Sequence, residues 1–262
     1  MLRYAWWNQY GTVPVAQCVE RAKAARLDCL IVKAGYLEQR NTFLTAGVPV
    51  ATEIYAQPES LAYQLTVLER DINAGARFAV INAEVEWETT DGTEMRRLIT
   101  DLRRRCPGTP IYACTDTRRG RMQLPYQLVM SELCDAWSPM IYPKTFEQTT
   151  QRAFAAALDD KDFAGKPVIP AIQTYNNIGA QAVADQLAEV RRRRLAGYGA
   201  YTIGHATNEE WAVITADAPP SPAERLAALN KVGEIFTDCA AHGLRDQPLP
   251  PALSGAAKYL LQ

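Results

Sequence analysis

Histidine is nearly missing from this chain: His205 and His242 are the only two in 262 residues. The cysteines Cys18, Cys29, Cys106, Cys114, Cys134 and Cys239 are scattered and form no Cys-x-x-Cys pair. Zinc sites are built from clustered Cys and His, so no metal or other cofactor is expected, and reduced, buried thiols are the expected state of the cysteines. No apolar stretch approaches the roughly 20 residues of a membrane span, so no membrane insertion is expected either. Basic excess is also lacking, with 28 Lys and Arg against 29 Asp and Glu and a net charge of -1. Phosphate-binding surfaces leave a surplus of positive charge, which argues against nucleic acid as a partner. The one dense basic run, four arginines at 191–194, reads as a helix end, where cations face the negative pole of the dipole. Residues 1–8 lack the apolar h-region of a signal peptide. The protein is therefore expected to be cytoplasmic as synthesised, or delivered elsewhere by a non-classical route.

What the chain does have is alternation. Short apolar runs rich in Val, Ile, Ala and Tyr recur eight times, at 3–8, 28–36, 48–55, 78–86, 110–116, 136–143, 167–175 and 198–205. They are apolar on both faces, as strands covered on both sides should be. Amphipathic runs follow them at 13–27, 38–46, 58–74, 92–105, 124–134, 145–158, 179–195 and 222–242, the second being short. The run at 92–105 closes on three arginines before Cys-Pro-Gly, a strong helix stop. Eight strand-then-helix units predict an α/β chain folded as a single (β/α)8 barrel, one domain over residues 1–262. A doubly wound open sheet would carry a Gly-rich first turn. Here Asn8-Gln-Tyr-Gly-Thr-Val-Pro14 has one glycine and no G-x-G-x-x-G.

Barrels of this kind place their sites at the C-terminal ends of the strands, and polar residues gather there. The run at 78–86 leads into Asn82-Ala-Glu-Val-Glu-Trp-Glu88. In a strand, residues two apart share a face. Asn82, Glu84, Glu86 and Glu88 are then expected on one side, with Ala83, Val85 and Trp87 on the other. Carboxylates this close push at least one pKa upward, which sets a protonated carboxyl beside an ionised one. The other strand ends bring Trp7 and Asn8, Lys33 and Tyr36, Glu53 and Tyr55, Asp116, Tyr142, Gln173 and Tyr175, and His205. Sugars need aromatic faces to stack on and polar partners for their hydroxyls. Of the adjacent Trp6 and Trp7, one faces the core and only the other can form a platform; Trp7 is assigned to it. Lys33 reads as an ion-pair partner for a carboxylate such as Glu53 ahead of a Schiff-base nucleophile. His205 reads as a structural or substrate-contacting residue ahead of a general base.

This layout resembles the TIM-barrel glycoside hydrolases with an acidic D-x-E motif at the end of strand four. Asn8-Gln9, Leu30-Ile-Val-Lys-Ala34, Glu84-x-Glu86 and Ile111-Tyr-Ala-Cys114 look like stretches of the family-25 lysozymes, or muramidases. Glu84-x-Glu86 and Met140-Ile-Tyr142 look like stretches of the family-18 chitinases. The chain departs from the lysozymes in having Asn8 for their Asp and no acidic residue in strand eight. It departs from the chitinases in lacking the strand-eight Trp and in having Pro143 where an Asp follows the Tyr. The resemblance implies a hydrolase of N-acetylated glycan such as peptidoglycan, with Glu86 as general acid and Glu84 raising its pKa. It also implies a nucleophile roughly 5 Å from the acid, Asp116 or Glu53, or else attack by the substrate's own N-acetyl group, held by Tyr142. Trp7, Asn8, Lys33, Tyr36, Glu53, Tyr55, Gln173, Tyr175 and His205 would line the glycan. A phage lysin or tail enzyme would reach the wall without a secretion signal. The alternative, of a different class, is a barrel that binds glycan without cleaving it, as a module of a larger assembly.

Overall fold

Strand and helix alternate along residues 2–216 in the computed structural model, which describes residues 1–118, 122–221, 223–227 and 230–231. The strands are β1 (Leu2–Trp7), β2 (Cys29–Lys33), β3 (Val50–Tyr55), β4 (Ala79–Asn82), β5 (Ile111–Thr115), β6 (Ala136–Ile141), β7 (Ala171–Gln173) and β8 (Gly197–Tyr201). The helices are α1 (Val15–Ala24), α2 (Leu37–Thr45), α3 (Leu61–Asn73), α4 (Thr93–Arg105), α5 (Pro125–Leu133), α6 (Thr150–Leu158), α7 (Ala180–Arg192) and α8 (Asn208–Ala216). All strand pairs are parallel, and β1 pairs with β8 from Leu2–Gly197 to Trp6–Tyr201, so the sheet closes in the order β1 to β8. The chain is a (β/α)8 barrel, as the alternation predicts.

Strand parity sorts the side chains into two layers. Tyr4, Trp6, Cys29, Ile31, Ala51, Val80, Cys114, Met140, Tyr142 and Ala171 cluster inside the barrel. Ala5, Trp7, Leu30, Val32, Val50, Ile141, Ile172, Tyr198 and Ala200 face outward and pack on the helices. α4 shows how a helix joins that outer layer. Met95, Leu98, Ile99 and Leu102 are buried on one stripe, Glu94 lies in the first turn and Arg103, Arg104 and Arg105 in the last. That spacing is the apolar face of an amphipathic helix, with charges arranged to suit its dipole.

A buried polar knot holds the β2–β3 side. Asp71 of α3 pairs with Arg40 of α2 at 2.9 Å, both side chains 3% exposed. It also accepts from Thr52 Oγ1 at 3.1 Å and from the Gly35 amide at 3.3 Å. A carboxylate this deep must be fully paired to be tolerated, and its pairing ties α2, α3, β3 and the loop after β2 together beside Lys33 and Glu53.

Three expectations need correction. β4 ends at Asn82 instead of running to residue 86. After the last ladder bond, Ala83 N to Cys114 O at 2.9 Å, Trp87 N bonds Glu84 O and Glu88 N bonds Val85 O, winding Val85–Trp87 into a 3-10 turn. The cause is Trp87, which is fully buried against the α4 side and donates its indole N–H to Ala56 O at 2.8 Å. Second, α8 at Asn208–Ala216 completes the eighth unit, a helix the apolar spacing did not single out. Its signal is a capping box: Thr207 Oγ1 accepts from Glu210 N at 3.2 Å and Glu210 Oε2 from Thr207 N at 2.8 Å. Third, β7 has three residues, because Pro167 and Pro170 interrupt the ladder that residues 167–175 would form.

The chain divides into two compact units, Met1–Ala216 and Asp217–Gln262. In the second, residues 223–227 and 230–231 are helical. The rest of the helix expected at 222–242, with Cys239 and His242, lies outside the described residues, as does most of the stretch by which a single domain over 1–262 would exceed the barrel. Among the described residues no helix is long and apolar enough to cross a membrane, and Cys18, Cys29, Cys106, Cys114 and Cys134 are free, buried thiols.

Gly199 of β8 is required by packing. A Cβ there would lie 2.1 Å from Trp6 Cζ3, so the indole can cross the lumen only because the side chain is absent. Gly199→Ala should therefore cost about 1–3 kcal/mol through overpacking, read as a lowered urea midpoint. An unchanged midpoint would mean that Trp6 has another place to go.

Candidate active site

The polar ring at the barrel mouth begins directly above Trp6. Lys33 and Glu53 are register partners on β2 and β3, both half-buried and facing inward. Burial is the main force on Glu53 and pushes its pKa up to about 7; the Lys33 charge and an Asn82 hydrogen bond oppose the rise, and the Glu84 charge adds to it. Lys33 and Glu53 interact through space without closing a direct ion pair.

Asn82 ends β4 opposite Tyr55, and its Nδ2 donates to Glu84 Oε1 at 3.3 Å. Glu84 is half-buried. Its pKa is raised, first by burial and then by the charges of Glu86 and Asp116, against the Asn82 hydrogen bond. Glu86 has a different setting, because the 3-10 turn carries it out to solvent, where Tyr55 Oη donates to its Oε1 at 2.6 Å. Val85, expected to be covered, is 57% exposed for the same reason, while Ala83 and Trp87 are buried outward. Asp116 is engaged by Arg118, whose Nε and Nη2 reach its two oxygens at 2.9 and 2.6 Å. The Arg118 guanidinium in turn lies 3.0 Å from the Phe146 ring centroid, a cation–π contact.

The opposite wall is aromatic. Tyr142, Tyr175 and Tyr201 pack mutually with centroids 5.5 to 5.8 Å apart, and Trp6 lies 5.9 Å from Tyr201. Burial pushes the Tyr142 and Tyr201 phenols above their usual range, so they stay neutral donors. The loops behind them are wired. Gln173 Oε1 accepts from Lys144 N at 3.0 Å, Tyr175 Oη meets Thr145 Oγ1 at 2.7 Å, and Lys144 Nζ donates to Asn176 O and Asn177 O at 2.7 and 3.1 Å. Both asparagines have positive φ, 63° and 49°, which Asn tolerates better than most residues.

Glu53, Tyr55, Glu84, Glu86, Asp116, Tyr142 and Tyr175 thus stand around the mouth with Lys33. Five other expected residues are placed differently. Trp7 packs outward against Tyr36 and Phe43, at 5.8 and 5.9 Å, so neither Trp7 nor Tyr36 enters the lumen; the inward tryptophan is Trp6. Asn8 turns its Oδ1 to the Tyr10 amide at 3.1 Å, a local turn in the first loop. Gln173 is buried as the brace of the β6–α6 loop. His205 is half-buried in the turn after β8, its amide bonded to Thr202 O at 3.2 Å. Trp6, Asn82 and Tyr201 also line the mouth; Asn82 shares the face expected of Glu84, and strand parity, carried back from Lys33 and Glu53 to their neighbours, points to Trp6 and Tyr201.

No family model matches the chain, and no curated protein matches it in sequence. Solved structures do share its shape. The Bacillus cereus spore cortex-lytic enzyme SleL superposes with a TM-score of 0.59 at 10% identity, over 83% of this chain and 74% of that one. A class V chitinase from Pseudomonas fluorescens Pf-5 gives 0.60 at 10% identity, over 81% and 98%. A glycoside hydrolase family 30 xylanase from Clostridium acetobutylicum gives 0.50 at 11%, over 83% and 70%. What they share with this chain is the fold. These neighbours are glycoside hydrolases built on such barrels, and they give the family-25 likeness no support.

Glu53 makes the stability of the barrel pH-dependent. Its folded pKa of about 7 lies above the ordinary 4.5, so between these values the folded state holds the extra proton. Stability from this group is complete below the lower value and falls as pH rises through the window. Wild type should therefore lose stability relative to Glu53→Gln between about pH 5 and about pH 8, read as urea midpoints; a gap that stays constant would count against a raised Glu53.

Proposed function

We propose that the barrel mouth hydrolyses a glycosidic bond, with Glu84 as the proton donor and an N-acetylated cell-wall glycan such as peptidoglycan as the substrate class. The observation that carries this reading is the pairing of a half-buried, raised carboxyl, Glu84, with an exposed one, Glu86, across from an aromatic wall of Tyr142, Tyr175 and Tyr201. Rings stack on aromatic faces, and a carboxyl held out of bulk water is shifted toward its protonated form. The likeness in fold to a spore cortex-lytic enzyme and a class V chitinase supports the substrate class, and at 10% identity it supports no residue role.

The roles differ from those the resemblance implies. Glu86 sits in water with the Tyr55 hydroxyl bonded to it, and the half-buried Glu84 takes its place as proton donor. Glu84 gives its proton to the glycosidic oxygen as the C–O bond to the anomeric carbon breaks. The carboxylate left behind later accepts a proton from the water that completes hydrolysis, which restores the starting state. Asp116, with both oxygens on Arg118, is held back from nucleophilic attack. This favours assistance by the substrate's N-acetyl group, with the neutral Tyr142 phenol on the wall that would face it.

Release of reducing ends from purified peptidoglycan and from N-acetylglucosamine oligomers tests the proposal. Glu84→Gln should lose about 100-fold or more in rate, the range general acid catalysis supplies, and Glu86→Gln should lose less. Full activity in Glu84→Gln would remove the assigned acid. A wild type that retains these glycans on a pull-down yet never cleaves them would make the barrel a glycan-binding module.

A further inference from the structure

Charge is spread unevenly around the mouth. Carboxyl groups dominate one side, where Glu53, Glu84, Glu86 and Asp116 stand on or just beyond β3, β4 and β5. Among the described residues of the strand ends and the loops after them, the lysines and arginines are Lys33, Arg118 and Lys144. Two of these are in use. Arg118 holds Asp116 through Nε and Nη2, and Lys144 Nζ donates to Asn176 O and Asn177 O at 2.7 and 3.1 Å. The Lys33 side chain closes no hydrogen bond and no ion pair with any described residue, and its Nζ is not sealed from solvent.

Glu53, the register partner of Lys33, acts on it through space. Burial favours the uncharged form of that carboxyl, so Glu53 is a weak counter-ion. Lys33 therefore offers an ammonium with three donors on a half-buried stem at the end of β2. A carboxylate arriving from solvent is repelled along β3 to β5 and attracted here. We propose that Lys33 is the specificity-determining residue of the mouth: it forms a salt link to a carboxylate carried by a sugar of the glycan, so that acidic N-acetylated chains are taken ahead of neutral ones. The inference rests on the glycan reading of the mouth and names the group on the glycan that is recognised.

The same layout gives the bound chain a direction. β3 lies between β2 and β4, so Lys33 and the strand that leads to Glu84 are two strand spacings apart, roughly 10 Å. A glycan anchored at Lys33 lays its anionic sugar on the β2 side and keeps that charge away from Glu84 and Glu86. Charge placed in this way fixes register and rejects wrong partners more than it adds raw affinity.

Titration calorimetry on the full-length protein tests this with disaccharide probes. The first joins N-acetylglucosamine to N-acetylmuramic acid, and the second is the same compound with its lactyl carboxylate methyl-esterified. The others are the neutral N-acetylglucosamine disaccharide and a disaccharide of glucuronic acid and N-acetylglucosamine. The muramic acid probe should bind about tenfold tighter than its ester and than the neutral disaccharide, the scale of a hydrogen bond to a charged group. That gap should narrow as salt is raised. Lys33→Arg should keep it and Lys33→Gln should lose it. Tight binding of the glucuronic acid probe would assign the recognition to ring carboxylates in general, and weak binding to the lactyl arm. Equal affinity for acid and ester in the wild type would overturn the proposal, as would an acid preference that survives in Lys33→Gln or a failure of all the probes to bind. The wild-type comparison decides the matter even if Lys33→Gln fails to fold. Acid-selective binding without release of reducing ends would sink the hydrolase reading alone, and cleavage without acid preference would sink this one alone.

Discussion

The contact between Trp6 and Gly199 is the constraint on which the upper barrel depends. Closure brings β1 against β8 with Trp6 opposite Tyr201, and an indole pointing inward at that level has room only over a residue without a side chain. Once it lies there, the lumen beneath is sealed by Tyr4, Cys29, Ile31, Val80 and Cys114. The layer above must then be polar, because its groups have solvent on one side and an apolar floor on the other. Glu53 occupies that boundary. Its carboxyl is pushed up chiefly because the packing below withdraws water from it, so the same close packing that closes the barrel also sets its acid chemistry.

Around that floor the mouth divides into two halves that are organised differently. The half formed by β3, β4 and the 3-10 turn is acidic and lightly tethered, with single hydrogen bonds at Glu84 and Glu86. The half formed by β6, β7 and β8 is aromatic and heavily braced by Gln173, Thr145 and Lys144. Arg118 joins them, holding Asp116 with one face of its fork while stacking on Phe146. A braced aromatic wall opposite singly tethered carboxyls is the arrangement the proposed hydrolysis would use, ring faces on one side and proton transfer on the other.

The barrel itself was legible because its signal repeats. Eight apolar runs with amphipathic spacers leave little else for residues 2–201 to be. Individual positions were harder. Trp6 and Trp7 are adjacent and chemically equal, and only the register against β8 decides which one meets Gly199. Tyr36 and Gln173 sit at strand ends like the true mouth residues, yet one is drawn outward by Trp7 and the other is used up by backbone amides. α8 went unread because it is short and its apolar residues run together at 211–214 instead of recurring at three and four, although its capping box at Thr207 and Glu210 was in plain view. The hydrogen bonds that distinguish a site residue from a brace are long-range and leave no local pattern.

The acidic stretch after β4 shows most clearly where strand logic ends. Alternation treats Glu84 and Glu86 as equivalent, two steps along one face, and would give them similar surroundings. Trp87 breaks that equivalence. Its side chain gains more from full burial and a bond to Ala56 O than an extended backbone could offer. The backbone therefore winds by a 3-10 turn to deliver it, and the turn leaves Glu84 at the wall while swinging Glu86 into water. Two like residues thereby acquire different environments, which is the condition for one to hold a proton while the other stays solvated. In the proposed mechanism the difference between acid and bystander is made by a tryptophan whose indole bonds a backbone carbonyl and not a carboxylate.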